Sequence, residues 1–369
     1  MSSTPTAPDP EFTSGAEAAA EGPAPGLPAP GAWRRPSAGA VLRGIFEFQS
    51  NSVILALGLV LVLFAVTHPS FYSLRQIQVV LQSSVYVGVT ACGMAFLIAM
   101  RQLDLSVSSI IALTAGVGAL LCNQGWDPWL AALAALGCAA LMGLINAVLV
   151  QTLRINALLA TLATLFVYNG FNQGITNSNT VIIGYTTNDI PLKGNHALSS
   201  SFFTTLGGNF LSIPISFWLM IAFAIILTIV LRFTPFGYRV RSIGSNPEAA
   251  TFSGISIPRV TYQAFILVGI AAGIGGLLVL IFFQDGDQSV GGSDNLLAIA
   301  AVIIGGTPMR GGSATVIGAM VGSILLTGVI QSGLTYFNIS ANWSQFALGA
   351  VILAAVSVDS VVRAGRRRT

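Results

Sequence analysis

Side chains that could carry out covalent chemistry are sparse in this sequence. It holds two histidines, His68 and His196, and a single lysine, Lys193. Neither histidine belongs to an HExxH metal-binding pattern, and no glycine-rich run leads to Lys193 as it would in a phosphate-binding loop. The sequence therefore predicts no catalytic residue and no metal site, and it excludes ATP hydrolysis through a P-loop in these residues.

A stripe of polar side chains runs along one predicted helix near the middle of the chain. Its members, at the spacing i, i+3, i+7 and i+11, are Thr161, Thr164, Tyr168 and Asn172. Hydroxyl and amide groups that faced lipid would lack hydrogen-bond partners, so this face must meet protein or water. Two interpretations stay open: hydrogen bonds between neighbouring helices, or a surface that lines a path for a polyol. The same two alternatives apply to Asn146 and Asn156.

Asp104 stands between two apolar runs, with Arg101 as its nearest opposite charge along the sequence. An aspartate before an apolar run is a standard helix N-cap, so we expect Asp104 to cap a helix that begins at Leu105. Ser106 and the serines that follow it would then line the first turn. The alternative is that Asp104 and Ser106 mark a translocation path, as acids within membrane spans often do.

The long polar segment at residues 232–259 contains a short helix whose ends can be read from the sequence. Asn246 is a good N-cap, Pro247 suits the first helical position, and Glu248 favours the positive end of the helix dipole. Gly254 can end the helix in a left-handed conformation.

A helix of two turns is not stable alone, so it must pack against another structure. The small side chains of Ala249 and Ala250 leave a face open for close approach by a second protein. We interpret the helix as a docking element, and the alternative is an ordinary loop.

The elements that must position these residues are apolar runs of membrane-spanning length. Hydrophobic residues make up 54% of the sequence and charged residues 8%, whereas soluble domains contain about 25% charged residues. These features indicate an all-α polytopic membrane protein with about ten transmembrane helices. The predicted spans lie near 52–68, 77–100, 105–122, 128–150, 157–176, 213–231, 260–283, 295–307, 313–335 and 343–362.

Two of these spans have unusual glycine patterns. The stretch 295–307 is short and bounded by glycine pairs, so we expect a half-helix there. Gly318 and Gly322 form a GxxxG pattern, which predicts a close helix crossing. The three cysteines, Cys92, Cys122 and Cys138, lie in or beside apolar runs, where packing rather than a disulfide is the expected role.

The basic residues predict the orientation of the chain in the membrane. With the N-terminus inside, every arginine and lysine except Arg75 and Lys193 falls on the cytoplasmic side. Both termini and the segment 232–259 would then be cytoplasmic, and the loop 177–212 would be external.

The chain divides into three parts by composition. Residues 1–40 hold eight of the 16 prolines and no apolar run, which predicts a disordered cytoplasmic tail. Residues 41–363 form the predicted transmembrane domain, and residues 364–369 form a basic cytoplasmic tail.

Several blocks of this sequence resemble the permeases of ATP-binding-cassette transporters for ribose, xylose and arabinose. The blocks lie at residues 93–107, 154–156, 160–164, 237–239, 244–250, 253–255 and 297–322. Together they cover roughly residues 50–360 in the family's order, which is more specific than any single motif. The resemblance implies that an ATPase-coupling loop is formed by Gly237, Arg239, Gly244, Asn246, Pro247, Glu248, Ala249, Ala250 and Gly254.

The resemblance also implies an assembly. The fold would be similar to the large, cobalamin-type importer permeases, in the bacterial cytoplasmic (inner) membrane. A second permease subunit, a cytoplasmic ATPase that holds ATP and Mg, and an external binding protein would be the partners; no nucleic acid is expected. The chain itself would bind no cofactor and would not be an enzyme.

The implied cargo is a pentose or hexose. Permeases of this type also carry nucleosides, signalling furanoses or branched-chain amino acids, so these cargoes stay open. A stand-alone secondary transporter is the alternative from a different class.

Overall fold

The computed structural model describes residues 69–185, 197–287 and 294–336, with isolated positions at 57–66, 292 and 343–353. The predicted tail at 1–40, the basic tail at 364–369 and most of the first and last predicted spans lie outside the described residues. His68, Lys193 and His196 lie outside them as well.

Helices dominate the described part of the chain. In order they are α1 (Leu74–Ser83), α2 (Val85–Ala99), α3 (Val107–Asn123), α4 (Pro128–Gln151), α5 (Ala157–Ile175), α6 (Ser201–Leu206), α7 (Ile215–Phe233), α8 (Pro235–Ser245), α9 (Pro247–Phe252), α10 (Ile257–Phe283), α11 (Asp294–Ile304), α12 (Val316–Ser323) and α13 (Ser332–Tyr336). Single 3-10 turns at Pro69–Tyr72 and Ala197–Ser199 and a π-helical segment at Ile324–Gln331 complete them. Every predicted span between 77 and 335 is helical, with outer ends that agree to within one turn. The span 77–100 contains α1 and α2, and the span 313–335 contains α12, the π-helical segment and α13.

Several helical stretches are long and apolar enough to cross a membrane. In the described residues these are Leu74–Ala99, Pro128–Gln151, Ile215–Phe233, Ile257–Phe283 and Val316–Leu334. Helices α3 and α11 are apolar but shorter. The chain is therefore a multi-pass membrane protein, while the total of about ten spans and the cytoplasmic location of both termini stay predictions.

Helix α2 forms the centre of the core. Every residue from Val87 to Ala99 is buried, and the helix packs against α10, α12, α11 and α7. A helix that is apolar on all sides is stable where other parts of the protein surround it. Helices α4 and α5 instead expose apolar side chains such as Leu133 and Phe166, a surface suited to lipid or to a partner subunit.

Helix α11 confirms the short helix that the glycine pairs predicted. It has 11 residues and so spans about 16 Å, roughly half of a hydrocarbon core. Helix α12 crosses it closely, because a Cβ atom at Gly318 would lie 1.9 Å from the Gly305 carbonyl oxygen. A Cβ atom at Gly322 would lie 2.2 Å from the carbonyl oxygen of Ala301. The predicted GxxxG crossing is thus confirmed, and α11 is the helix that it meets.

The predicted external loop at 177–212 contains short elements that the sequence did not predict. Besides α6, they are the strands β1 (Val181–Ile182) and β2 (Asn209–Phe210), and β2 pairs antiparallel with β3 (Ile213–Pro214). Strand β1 pairs antiparallel with β4 (Asp285–Gly286), which follows α10. The expected all-α fold therefore carries two small β ribbons in its described part.

One side chain fixes the β1–β4 ribbon to the end of α3. The buried Asn123 side chain donates to the carbonyl oxygen of Ile182 at 2.9 Å and accepts from the Gly184 amide at 3.0 Å. A Cβ atom at Gly286 would lie 2.7 Å from the Cα of Gly116. The ribbon thus rests directly on the backbone of α3.

All three cysteines are free thiols. Cys92 and Cys122 are buried and Cys138 is partly buried, in agreement with the packing role expected for them. Only Cys138 needs to be replaced before thiol labelling.

Thiol labelling tests the predicted sidedness. Ser253, which follows α9, and Ser199, which precedes α6, are both exposed. In a Cys138→Ala background, Ser253→Cys should resist a membrane-impermeant thiol reagent in intact cells and react after permeabilisation. Ser199→Cys should react in both conditions. Labelling of Ser253→Cys in intact cells would contradict the cytoplasmic location of residues 232–259 and the predicted arrangement of spans.

Candidate functional site

Five polar side chains form a buried hydrogen-bond network between α4, α5 and the connection from α2 to α3. We call it the Asn146 network, and its members are Asp104, Ser106, Asn146, Thr164 and Tyr168. Each of the five is buried. The network therefore brings together most of the residues that the sequence proposed for a translocation path.

The amide of Asn146 is the hub of the network. Its Nδ2 donates to Asp104 Oδ2 at 3.1 Å and to Ser106 Oγ at 2.8 Å. Its Oδ1 accepts from Thr164 Oγ1 at 2.8 Å and from the Tyr168 hydroxyl at 3.2 Å. All four hydrogen-bonding positions of this amide are thus occupied, and its orientation is fixed by acceptors at one end and donors at the other.

Asp104 is not the cap that we expected. Its Oδ1 accepts from the backbone amide of Ser106 at 2.8 Å and from Ser106 Oγ at 2.6 Å. Helix α3 begins at Val107 rather than Leu105, and Ser106 occupies the N-cap position. The physical reason is tertiary, since the amide of Asn146, from another helix, holds the second carboxylate oxygen. Arg101 does not pair with Asp104, because its guanidinium donates to the Ser245 carbonyl oxygen at 2.8 Å.

Thr161 connects the network to the backbone of the same connection. Its hydroxyl accepts from the Leu105 amide at 3.1 Å and donates to the Ala157 carbonyl oxygen at 2.8 Å. On the other side, Asn295 in α11 donates to the Leu105 carbonyl oxygen at 3.1 Å. The connection before α3 is therefore held by α5 and by the half-helix α11 together.

The remaining two predicted path residues lie apart from the network. Asn172 is buried, and neither polar atom of its amide has a hydrogen-bond partner among the described residues. Its Oδ1 lies where Gly116 leaves space, since a Cβ atom there would come within 2.4 Å. Asn156 is exposed, and it caps α5 by accepting from the Leu158 amide at 2.9 Å.

These positions favour hydrogen bonding between helices over the polyol path for the polar stripe. Thr164 and Tyr168 each have a partner in α4, and Thr161 has one in the connection before α3. A cargo-lining role for the stripe stays a prediction.

The described residues contain no cluster of metal-ligating side chains. Within them, no group of three or more His, Cys, Asp or Glu side chains is placed to hold a metal ion. The buried acids are Asp104, whose oxygens already accept from Ser106 and Asn146, and Asp294 at the start of α11. The network can hold helices in register and present hydroxyl and amide groups.

The short helix predicted in the polar segment is confirmed together with its caps. Helix α9 begins at Pro247, and the Asn246 side chain accepts from the Ala249 amide at 3.1 Å. The chain leaves the helix at Gly254, which has a φ of 78°. The Ile255 amide closes the end by donating to the Ala250 carbonyl oxygen at 3.0 Å.

Helix α8 precedes α9 and was not predicted. Thr234 caps it, Pro235 is its first residue, and its side chains Val240 and Ile243 are buried. A Cβ atom at Gly237 would lie 2.1 Å from the Leu231 carbonyl oxygen, so α8 folds tightly back on the end of α7.

The predicted coupling residues divide between two faces. The buried ones are Gly237, Gly244 and Ala250, and the exposed ones are Arg239, Asn246, Pro247, Glu248, Ala249 and Gly254. Ala250 is 4% exposed, so our expectation that it faces a second protein is wrong: it packs into the permease itself. Phe252, which sequence reasoning missed, is 92% exposed. A lone aromatic residue in a polar segment was the signal for it.

Comparisons with known proteins identify a family that this chain matches. Residues 76–356 match the family described as the permease component of the branched-chain amino acid transport system. An L-arabinose ABC transporter permease protein of Azospirillum brasilense is 30% identical over 88% of this chain and 91% of its own. A ribose import permease protein of Bacillus subtilis is 33% identical over 84% of this chain and 92% of its own. No solved structure matches the chain.

Two substitutions distinguish the hub of the Asn146 network from its periphery. Asn146→Leu should leave several buried polar groups without partners, each at a cost of about 1–3 kcal/mol. Thr164→Val removes one donor, while the Tyr168 hydroxyl, whose proton is shared between the Met142 carbonyl oxygen and Asn146 Oδ1, still reaches the same oxygen. The expected cost is about 0.6 kcal/mol, the average for such bonds in membranes. We therefore expect a much larger fall in the thermal unfolding temperature of the purified protein for Asn146→Leu.

Equal shifts for the two variants would contradict the role of Asn146 as the hub. Loss of cargo uptake by Thr164→Val, at unchanged abundance and unfolding temperature, would instead support the cargo-path alternative for the stripe.

Proposed function

The chain belongs to the family of permease components of the branched-chain amino acid transport system, and on this basis we propose that it is the membrane-spanning subunit of an ATP-binding-cassette importer. Its several apolar helices supply the membrane domain that such a subunit needs. ATP and Mg would be held by a separate ATPase, and this chain would move cargo without itself being an enzyme.

The proposed cargo is a monosaccharide, a pentose or hexose. The ribose and L-arabinose named for two relatives of nearly the same length support a sugar. The interior also supports a sugar. Among the described residues the buried acidic side chains are those of Asp104 and Asp294, and no Arg or Lys is buried. A neutral sugar needs only hydroxyl and amide partners, whereas the carboxylate of an amino acid would favour a cationic donor.

The exposed face of α9 is the main observation in support of an ATPase partner. A six-residue helix is far too short to be stable by itself, yet this one holds Phe252 almost fully in solvent and Glu248 beside its N-terminus. Aromatic side chains are common anchors of protein interfaces. We propose that Phe252, Glu248 and Arg239 form the docking surface, and that the buried Gly237, Gly244 and Ala250 hold it in place.

The family membership supports three further elements of the proposal. These are a second permease subunit, an external protein that delivers the cargo, and a location in the bacterial cytoplasmic membrane with both termini inside. The exposed apolar faces of α4 and α5 provide surface for lipid and for the second subunit.

Reconstitution tests the proposed activity and separates it from a stand-alone carrier. Proteoliposomes would contain this chain with a candidate ATPase and a candidate sugar-binding protein from the same organism. We expect uptake of labelled ribose or L-arabinose only when ATP is present on the ATPase side. Uptake without the ATPase would support a secondary transporter, and uptake of leucine in place of either sugar would reassign the cargo.

A charge at the tip of the docking surface tests the partner. Phe252→Glu should weaken the affinity for the ATPase by at least about tenfold, because interface anchors contribute about 2 kcal/mol or more. Less ATPase should therefore co-purify with this variant. Phe210→Glu, at a phenylalanine 59% exposed in β2, is the matched control and should co-purify normally. Equal co-purification by the two variants would contradict docking at α9.

A further inference from the structure

Three chain segments meet at the end of α2 next to the proposed docking surface. They are the end of α2 with the residues after it (99–101), the end of α8 (244–245), and the loop between α11 and α12 (311–312). We call this meeting point the 99–244–312 junction. Two hydrogen bonds join the segments: the Gly312 amide donates to the Ala99 carbonyl oxygen at 2.9 Å, and Arg101 Nη2 donates to the Ser245 carbonyl oxygen at 2.8 Å.

Glycines bring the three backbones into direct contact at the junction. A Cβ atom at Gly244 would lie 1.7 Å from the Ala99 carbonyl oxygen and 2.5 Å from the Gly312 nitrogen. A Cβ atom at Gly311 would lie 2.8 Å from the same Ala99 oxygen. With their backbones this close, the segments have little room to slide past one another, because closely packed interiors have low compressibility and transmit strain.

The local backbone at the junction is held in an uncommon conformation. Arg101 has a φ of 62°, and Gly311 and Gly312 have φ angles of 73° and 84°. A left-handed arginine persists only where its surroundings stabilise it. Here the Gln102 amide donates to the Leu97 carbonyl oxygen at 2.9 Å, which ends α2 with Arg101 in this conformation. The exposed Arg101 side chain then reaches across to the end of α8.

Each segment of the junction leads to a different part of the molecule. Helix α8 continues directly into α9 through Asn246. Segment 99–101 ends α2, the buried centre of the core, and loop 311–312 leads into α12, which crosses the half-helix α11. A displacement of α9 therefore reaches α2 and the α11–α12 pair through contacts between backbones.

We propose that the 99–244–312 junction transmits movement of the ATPase-docking helix to the centre of the membrane domain, with Arg101 as the positioning residue that holds its parts together. The inference rests on the proposed function as an ATP-driven permease. Arg101 is not one of the three docking-surface residues, and its guanidinium donates instead to the Ser245 carbonyl oxygen. Its loss should therefore leave docking intact while lowering the amount of cargo moved for each ATP hydrolysed.

Arg154 offers a matched control for Arg101. It is also an exposed arginine with a left-handed backbone, at a φ of 55°, and its guanidinium has no hydrogen bond to the described residues of the junction. An alanine at either position keeps a Cβ atom, so the backbone cost of the substitution is the same. Only Arg101→Ala breaks the bond to Ser245.

The experiment compares Arg101→Ala, Arg101→Lys and Arg154→Ala in the full complex in proteoliposomes, with ribose or L-arabinose as the cargo. Abundance and ATPase co-purification should match wild type in all three. The ratio of cargo moved to ATP hydrolysed should fall roughly tenfold for Arg101→Ala, within the range typical of coupling between sites. Arg101→Lys, which keeps a charged donor, should recover part of the ratio, and Arg154→Ala should keep it.

Several outcomes would overturn the inference. An unchanged ratio for Arg101→Ala, or an equal fall for Arg154→Ala, would remove the junction from transmission. Loss of ATPase co-purification by Arg101→Ala would assign Arg101 to docking instead. If the wild-type complex showed no ATP-dependent uptake, the proposed function itself would be contradicted. This outcome differs from a failure of the junction, which would appear only in the variants.

Discussion

The hydrogen bonds of one side-chain amide determine how the chain between α2 and α3 sits inside the membrane domain. Asn146 satisfies a carboxylate and a hydroxyl on one side and two hydroxyls on the other. All of these groups are buried, and a buried polar group that loses its partner is costly, so the four bonds are mutually dependent. The position of Asp104 fixes the start of α3, and α3 in turn supports α4, α5 and α10.

Direct backbone contact is the second constraint, and it acts where glycines let helices approach one another closely. Gly318 and Gly322 bring α12 onto α11, and Gly244 brings α8 onto the end of α2. Within a membrane, an apolar side chain gains little by moving from lipid to a neighbouring helix. Helices therefore associate through the van der Waals contacts that close approach allows. The Asn146 network therefore orients α3, α4 and α5 relative to one another. The glycine contacts hold α2, α8, α11 and α12 together.

Signals confined to a few neighbouring residues predicted structure well. Asn246, Pro247 and Gly254 predicted both ends of α9, because caps depend on local hydrogen bonds. The predicted helix cap at Asp104 was wrong because the role of Asp104 depends on a distant residue. Its partner Asn146 lies in another helix, far away in the sequence. Helix α8 escaped prediction although its buried residues follow a helical spacing, because its two buried glycines, Gly237 and Gly244, lower the helix propensity of the segment. The inward direction of Ala250 follows only from tertiary packing. Of the candidate site, the residue types were predictable and their partners were not.

The β1–β4 ribbon has a consequence for the order in which the protein is made. Asn123 meets Ile182 and Gly184 soon after α5 is synthesised, but β1 has no strand to pair with until Gly286 has left the ribosome. Contacts between segments so far apart in sequence form late, because the intervening chain must be closed first. The end of α3 that carries Asn123 therefore cannot complete its contacts until residues 285–286, which follow α10, have been synthesised.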